Sequence, residues 1–123
     1  MSEINCKSIT YHEVLPNSNN TQLVELGSNL DLNRISDLKE FFDQSFEQGY
    51  SRFLVDLSKV PFLYSSVLGV MIGTAKRSKS LNGFVKLCRT SPALRCALQY
   101  SGFSHQIEIY ECRESALRSI KAN

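Results

Sequence analysis

At 123 residues, 42% hydrophobic and 21% charged, the sequence has the size and makeup of one compact domain, which argues against global disorder and leaves little room for a second domain. A net charge of +2 is too mild to call for nucleic acid, and no apolar run approaches the roughly 20 residues a membrane helix needs. Met1 to Lys7 lacks the basic-then-apolar order of a secretory signal, so the expected setting is the cytoplasm, with no membrane partner.

The first strand is expected over residues 8–15, rich in Ile, Tyr and Val. Pro16 to Asn20 is a turn on composition, and residues 21–26 form a second strand, so the two read as an antiparallel hairpin. Gly27 to Asp31 breaks the strand. A helix follows from about Asn33 to Gln48, capped by Asp31 or Asn33 and ended by Gly49. Its apolar stripe is Ile35, Leu38, Phe41, Phe42 and Phe46, with Asp37, Glu40, Asp43 and Glu47 on an acidic outer face.

Residues 52–57 are almost continuously apolar, as in a buried central strand. A loop with Pro61 leads to a second helix, about Ser66 to Leu81, stopped by Asn82-Gly83. Residues 84–88 form another strand. Ser91 caps a third helix whose first residue is Pro92 and which Gly102 ends. Residues 106–110 are a last strand and 113–121 a closing helix. The order is β-β-α-β-α-β-α-β-α. After the hairpin, strands alternate with helices, so the fold class is α/β: a single domain, core about 8–120, with a mixed, mostly parallel sheet.

Charge is uneven along the chain. Residues 1–61 hold five basic against nine acidic residues, a net −4, and residues 62–123 hold nine against three, a net +6. Either the domain has oppositely charged faces or the two halves neutralise each other in space. The cysteines Cys6, Cys88, Cys96 and Cys112, with His12 and His105, lack the short paired spacing of a zinc site, so no metal is expected, and Cys88 and Cys96 read as reduced core residues.

The most informative stretch runs from Val55 to Val70. A buried strand ends at Asp56-Leu57, a short loop follows, and Ser65 and Ser66 stand at a helix N-terminus, where free N–H groups and a partial positive charge favour an anion. Each serine is therefore either an ordinary cap or a phospho-acceptor. Gly69 and Gly73, four apart in the same helix, each cost about 1 kcal/mol against alanine. Close approach of another backbone, from this domain or from a partner, is the expected offset. Lys76, Arg77 and Lys79 suit the helix C-terminus. Asp31 and Asp56 are expected on the same edge as Ser65. No nucleophile elbow, Walker loop or dinucleotide fingerprint occurs, so neither catalysis nor a cofactor is expected.

Tyr64-Ser65-Ser66-Val67-Leu68-Gly69 resembles the Asp-Ser-Ser/Thr-Gly-Leu-Gly signature of the STAS domain family, specifically its bacterial anti-sigma factor antagonists. Residues 27–31 resemble that family's Gly-Glu-Leu-Asp turn, residues 82–87 its Gly-Gly-x-Leu-x-Leu strand, and Ser91 to Phe103 its Ser-Pro helix. The resemblance implies partner switching in signal transduction and transcription regulation. The domain binds a serine protein kinase that is also an anti-sigma factor, phosphorylation releases it, and a PP2C-type phosphatase is a further implied partner. By position Ser65 is the implied acceptor, with Ser66 the alternate. The implied contact surface is Asp31, Tyr64, Ser65, Ser66, Val67 and Gly69. Tyr64 replaces the motif's Asp and Val67 its first Gly. Those departures support a second reading, a non-phosphorylated scaffold or assembly subunit. A homodimer is compatible with either.

Overall fold

The computed structural model describes residues 9–16, 18–27, 35–60, 65–100 and 107–121. Five strands, β1 (Ile9–Val14), β2 (Gln22–Leu26), β3 (Arg52–Asp56), β4 (Phe84–Cys88) and β5 (Glu108–Tyr110), alternate after the hairpin with four helices. The helices are α1 (Ile35–Glu47), α2 (Ser65–Ser80), α3 (Pro92–Tyr100) and α4 (Arg113–Lys121). The expected α/β class and element order hold, with ends shifted by a residue or two. The last strand, expected over 106–110, spans only Glu108–Tyr110. The expected caps Asp31 and Asn33 of α1 lie outside the described residues.

The sheet order is β1-β2-β3-β4-β5, with β1 antiparallel to β2 and every other pair parallel. A bulge between Ile9 and Tyr11 shifts the β1 register. Because the parallel strands follow in chain order, right-handed crossovers must lay α1, α2 and α3 on one face. The core confirms it. Leu38, Phe41 and Phe42 of α1, Val67, Met71 and Ala75 of α2, and Leu94 and Leu98 of α3 all pack on Val24, Phe53, Val55, Val85 and Leu87. Phe42 meets Phe53 edge to face at 5.1 Å between ring centres. The opposite face belongs to α4, whose Ala116 and Ile120 cover Leu23, Leu54 and Cys88. The buried Lys86 helps dock α4: its ammonium donates to Ser119 Oγ at 2.9 Å and lies 4.8 Å from the Phe84 ring centre.

Local chemistry sets the helix ends. Gly49 ends α1 at φ 95°, in the left-handed region glycine tolerates, and Asn82 does the same for α2 at φ 61°. Ser91 Oγ accepts the Leu94 N–H at 3.1 Å, the expected N-cap of α3. Cys112 Sγ accepts the Ser115 N–H at 3.5 Å and caps α4.

The two cysteines expected in the core part company. Cys88 is fully buried, but Cys96 is exposed, because Leu94 and Leu98 take the inward positions of α3 and residue 96 points away from both. Burial, then the nearby Asp56 carboxylate, pushes the Cys88 thiol up to about 12. The native state therefore keeps a proton that the unfolded chain, with a thiol near 9, gives up. This contribution to stability is whole below pH 9 and disappears as pH rises toward 12, at about 1.4 kcal/mol per pH unit. Urea denaturation of wild type and Cys88→Val at pH 8.5 and about pH 10.5 checks it: the wild type should lose more stability over that interval. Equal losses would contradict the assignment.

Candidate functional site

The C-terminal edge of the parallel strands is where the loops meet the helix N-termini. Two structures stand there or begin there: a buried ion centre and the α1–α2 cleft.

The ion centre is built on Asp56, the last residue of β3, whose side chain points to the α4 face and is wholly buried. Its Oδ1 accepts the Ser58 N–H at 2.8 Å. Its Oδ2 accepts from Arg113 Nε at 2.6 Å and Arg89 Nη1 at 3.2 Å. Arg113 also reaches Glu25 Oε2 at 2.9 Å, and Lys59 meets Glu25 Oε1 at 2.9 Å. A lone buried carboxylate would be costly, so the arginines and the backbone donor make its position tenable. Arg89 is delivered to it by a left-handed backbone, φ 59°, directly after β4. The centre thus ties the start of the β3–α2 loop to β2, β4 and α4. The sequence predicts Asp56 at this edge with Asp31, on the side of Ser65. Asp31 lies outside the described residues, and the partners of Asp56 are arginines from the second half of the chain.

That pairing also decides the charge question. Asp56–Arg89, Asp56–Arg113, Glu25–Arg113 and Asp43–Arg77 all join the acidic first half to the basic second half, so much of the asymmetry is neutralised inside the domain.

Ser65 is the first residue of α2, and both Ser65 and Ser66 are exposed. An amphipathic register explains it. Val67, Met71, Thr74, Ala75 and Ser78 take the inward face, which turns Ser66, Gly69, Gly73 and Arg77 toward solvent and α1. The expectation that Val67 lies on the contact surface is therefore corrected: its side chain is fully buried, packed in the main core. A valine in place of the motif's glycine adds core contact and leaves the outer surface of α2 unchanged. Tyr64 lies outside the described residues.

Gly69 and Gly73 narrow a second expectation, ruling against its intradomain branch. A Cβ built on either would meet nothing within 4 Å, so no other backbone among the described residues approaches them. Instead they floor an open cleft of about 490 Å³ between α1 and α2, lined also by Lys39, Asp43, Phe46, Ser66, Val70, Thr74 and Arg77. Arg77, expected only to complement the helix dipole, pairs with Asp43 at 3.1 Å and lies 4.2 Å from the centre of the Phe46 ring. No group of three or more His, Cys, Asp or Glu side chains suited to a metal occurs among the described residues, and no described helix is long and apolar enough to cross a membrane.

The STAS domain sequence model matches residues 14–116, which span both the ion centre and α2. The chain belongs to the STAS domain family. Among curated relatives, this STAS domain is 28% identical to the "Putative anti-sigma factor antagonist TM1081 homolog" of Thermotoga neapolitana over 83 residues, 68% of this chain and 74% of that one. Its fold matches the crystal structure of TM1081 from Thermotoga maritima with a TM-score of 0.82 at 20% identity, covering 90% of this chain and 93% of that one. It matches the anti-sigma factor antagonist SpoIIAA in its unphosphorylated form with a TM-score of 0.76 at 18% identity, covering 92% and 96%. The STAS architecture read from residues 27–31, 64–69, 82–87 and 91–103 is thus the architecture found.

Sequence reasoning missed the Arg113–Asp56–Arg89 centre and the α1 side of the cleft. The legible signal for the first was a carboxylate in each of two apolar strands, Glu25 and Asp56, both at alternate positions that face α4.

Proposed function

We propose that this STAS domain is an anti-sigma factor antagonist that works by partner switching. It binds an anti-sigma factor that is also a serine kinase, and phosphorylation of Ser65 releases it, with Ser66 the alternate acceptor. A PP2C-type phosphatase would restore the binding form. The observation that carries this reading is the exposure of both serines on the first turn of α2. There a hydroxyl is open to a kinase active site, and the resulting phosphate lies beside free helical N–H groups. Phosphorylation adds about −1.5 to −2 charges at the centre of the contact surface, enough to repel an acidic partner and to displace a hydroxyl hydrogen bond. The relatives named as anti-sigma factor antagonists support the reading, and so does the SpoIIAA fold, which has been solved in a phosphorylated form as well.

The test uses the serine kinase of the anti-sigma type encoded in the same genome. With ATP it should place one phosphate on Ser65, located by mass spectrometry of the peptide. Ser65→Ala should bind the unmodified kinase as the wild type does, whereas Ser65→Asp should weaken binding about tenfold or more. Equal binding by wild type, Ser65→Ala and Ser65→Asp would replace the switch with the scaffold reading that Tyr64 motivates.

A further inference from the structure

The sheet leaves one long side unpaired. β1 is its outermost strand, and among the described residues no strand pairs with its far side. Leu15 donates to Thr21 O at 2.8 Å, which fixes the hydrogen-bonding phase of the hairpin: Tyr11 and Glu13 exchange bonds with β2, whereas His12 and Val14 turn their N–H and C=O groups outward. Tyr11, His12, Glu13 and Val14 are all exposed, and Tyr11 and Val14 are two of the four large apolar side chains that stand exposed among the described residues. Soluble proteins usually guard such an edge with proline, lysine, a bulge or sheer shortness. The other outer strand, β5, is guarded by being three residues long. β1 has six residues, neither proline nor lysine, and a bulge only at its start.

What fits this edge is set by its own sequence. Two copies of β1 joined about a two-fold axis run antiparallel, and side chains facing each other must lie on the same side of the sheet, so one residue stands opposite itself. Centred on Glu13, the join sets carboxylate against carboxylate. Centred on Tyr11, it runs into the bulge that follows Ile9. Centred on Val14, it sets Pro16, which has no N–H, where His12 needs a donor. Centred on His12, it engages Tyr11, His12 and Glu13 of both copies within the regular stretch of the strand. On the α4 face Tyr11 Oη already donates to Glu13 Oε2 at 2.5 Å, and across the join it faces Glu13 of the other copy, so each carboxylate meets a second phenol in place of a second carboxylate. On the α1 face the two His12 side chains meet, each ring edge-on to Phe41 of its own copy at 5.5 Å between ring centres.

We infer that β1 is a homodimer edge: two copies of this chain pair antiparallel about His12, and their two five-stranded sheets become one. The join goes beyond the switch and does not depend on it, since β1 lies two strands from β3, whose following loop leads to Ser65. Backbone bonds from His12 and Val14 supply the affinity, and the Tyr11–Glu13 pairs supply the register. The interface is small, so the dimer is expected to be half formed at about 100 µM or below.

Analytical ultracentrifugation of the full chain, from about 5 to about 500 µM, tests it. The mass should rise with concentration from the 13.9 kDa of one chain toward twice that value. His12→Lys and His12→Glu each set like charges opposite one another at the axis, and each should dimerise about fivefold or more weakly. Mixed one to one, the two variants set lysine against glutamate and should recover the dimer. Circular dichroism checks folding. Should either His12 variant fail to fold, the exposed Tyr11 serves in its place: Tyr11→Glu, facing Glu13 of the other copy, should weaken the dimer, and Tyr11→Lys, facing the same carboxylate, should not. A wild type that stays monomeric to about 500 µM overturns the inference. So does a dimer that withstands both His12 variants, or that both weaken without recovery on mixing, or, where the Tyr11 variants serve, one that Tyr11→Glu and Tyr11→Lys affect alike.

Discussion

Gly83→Ala is expected to destabilise the domain by about 3 kcal/mol or more, and it makes the tightest clash among the described glycines. The cause is close approach, since the φ of Gly83 is not in the left-handed region. A Cβ on Gly83 would lie 1.8 Å from the carbonyl oxygen of Ser51 and 2.6 Å from its carbon, distances no packed atoms adopt. Neither side can retreat cheaply. The Gly83 N–H donates to Ser78 O at 2.7 Å, which closes the α2 C-terminus, and the adjacent Phe84 N–H donates to the same Ser51 carbonyl at 3.0 Å, which starts the β3–β4 pairing. Relief of the clash must break one of these bonds or shift two central strands. Urea denaturation measures the loss, and Gly73→Ala in the same assay is the contrast, expected to gain about 0.5–1 kcal/mol because its new methyl meets nothing. A Gly83→Ala protein within 1 kcal/mol of wild type would show that the two strands are not held as tightly as their geometry states.

Arg113→Met should cost about 2–3 kcal/mol. The lost packing of the stem is largely restored by methionine, so the cost is that of leaving Asp56 wholly buried with Arg89 and one backbone N–H as its remaining donors. The figure sits below the full price of a broken buried pair because Arg113 is itself one-third exposed and Arg89 stays in place. The double variant Asp56→Asn/Arg113→Met isolates the cause. Asparagine keeps an acceptor for the Ser58 N–H but carries no charge, so the double variant should be more stable than the sum of the single changes predicts. Additive losses would mean that packing, not the orphaned charge, dominates.

Much of this fold is legible from pattern alone because its signals are local. The periodicity of Ile35 to Phe46, the apolar run of residues 52–57, the Ser91-Pro92 cap and the stop at Gly49 each act within a few residues, and each element is found where they place it. What pattern cannot convey is which distant side chains meet. Arg113 reads as an ordinary helix-start residue until the topology lays α4 across β4 and brings it to Asp56, 57 positions away in sequence. Gly83 reads as a helix stop, and only the β3–β4 register reveals that it faces the Ser51 carbonyl. Val67 is the sharper lesson. A motif comparison treats it as part of a surface signature, whereas the helical rotation set by Met71, Thr74 and Ala75 turns it to the core. Ser65 and Ser66 are legible because their chemistry is that of a helix end, whereas the cleft is not, because the meaning of Gly69 and Gly73 depends on α1.

The unbroken strand order has a consequence for how the molecule assembles. Every strand pairs with its immediate predecessor in the chain, so the sheet can lengthen one strand at a time as the polypeptide leaves the ribosome, never waiting for a remote segment to return. The opposite side belongs to α4: only when this nine-residue helix covers it does Arg113 reach the acid at the heart of the sheet. Without α4, Asp56 would lack Arg113, so the acid in the sheet gains its full set of described donors only once this helix has docked.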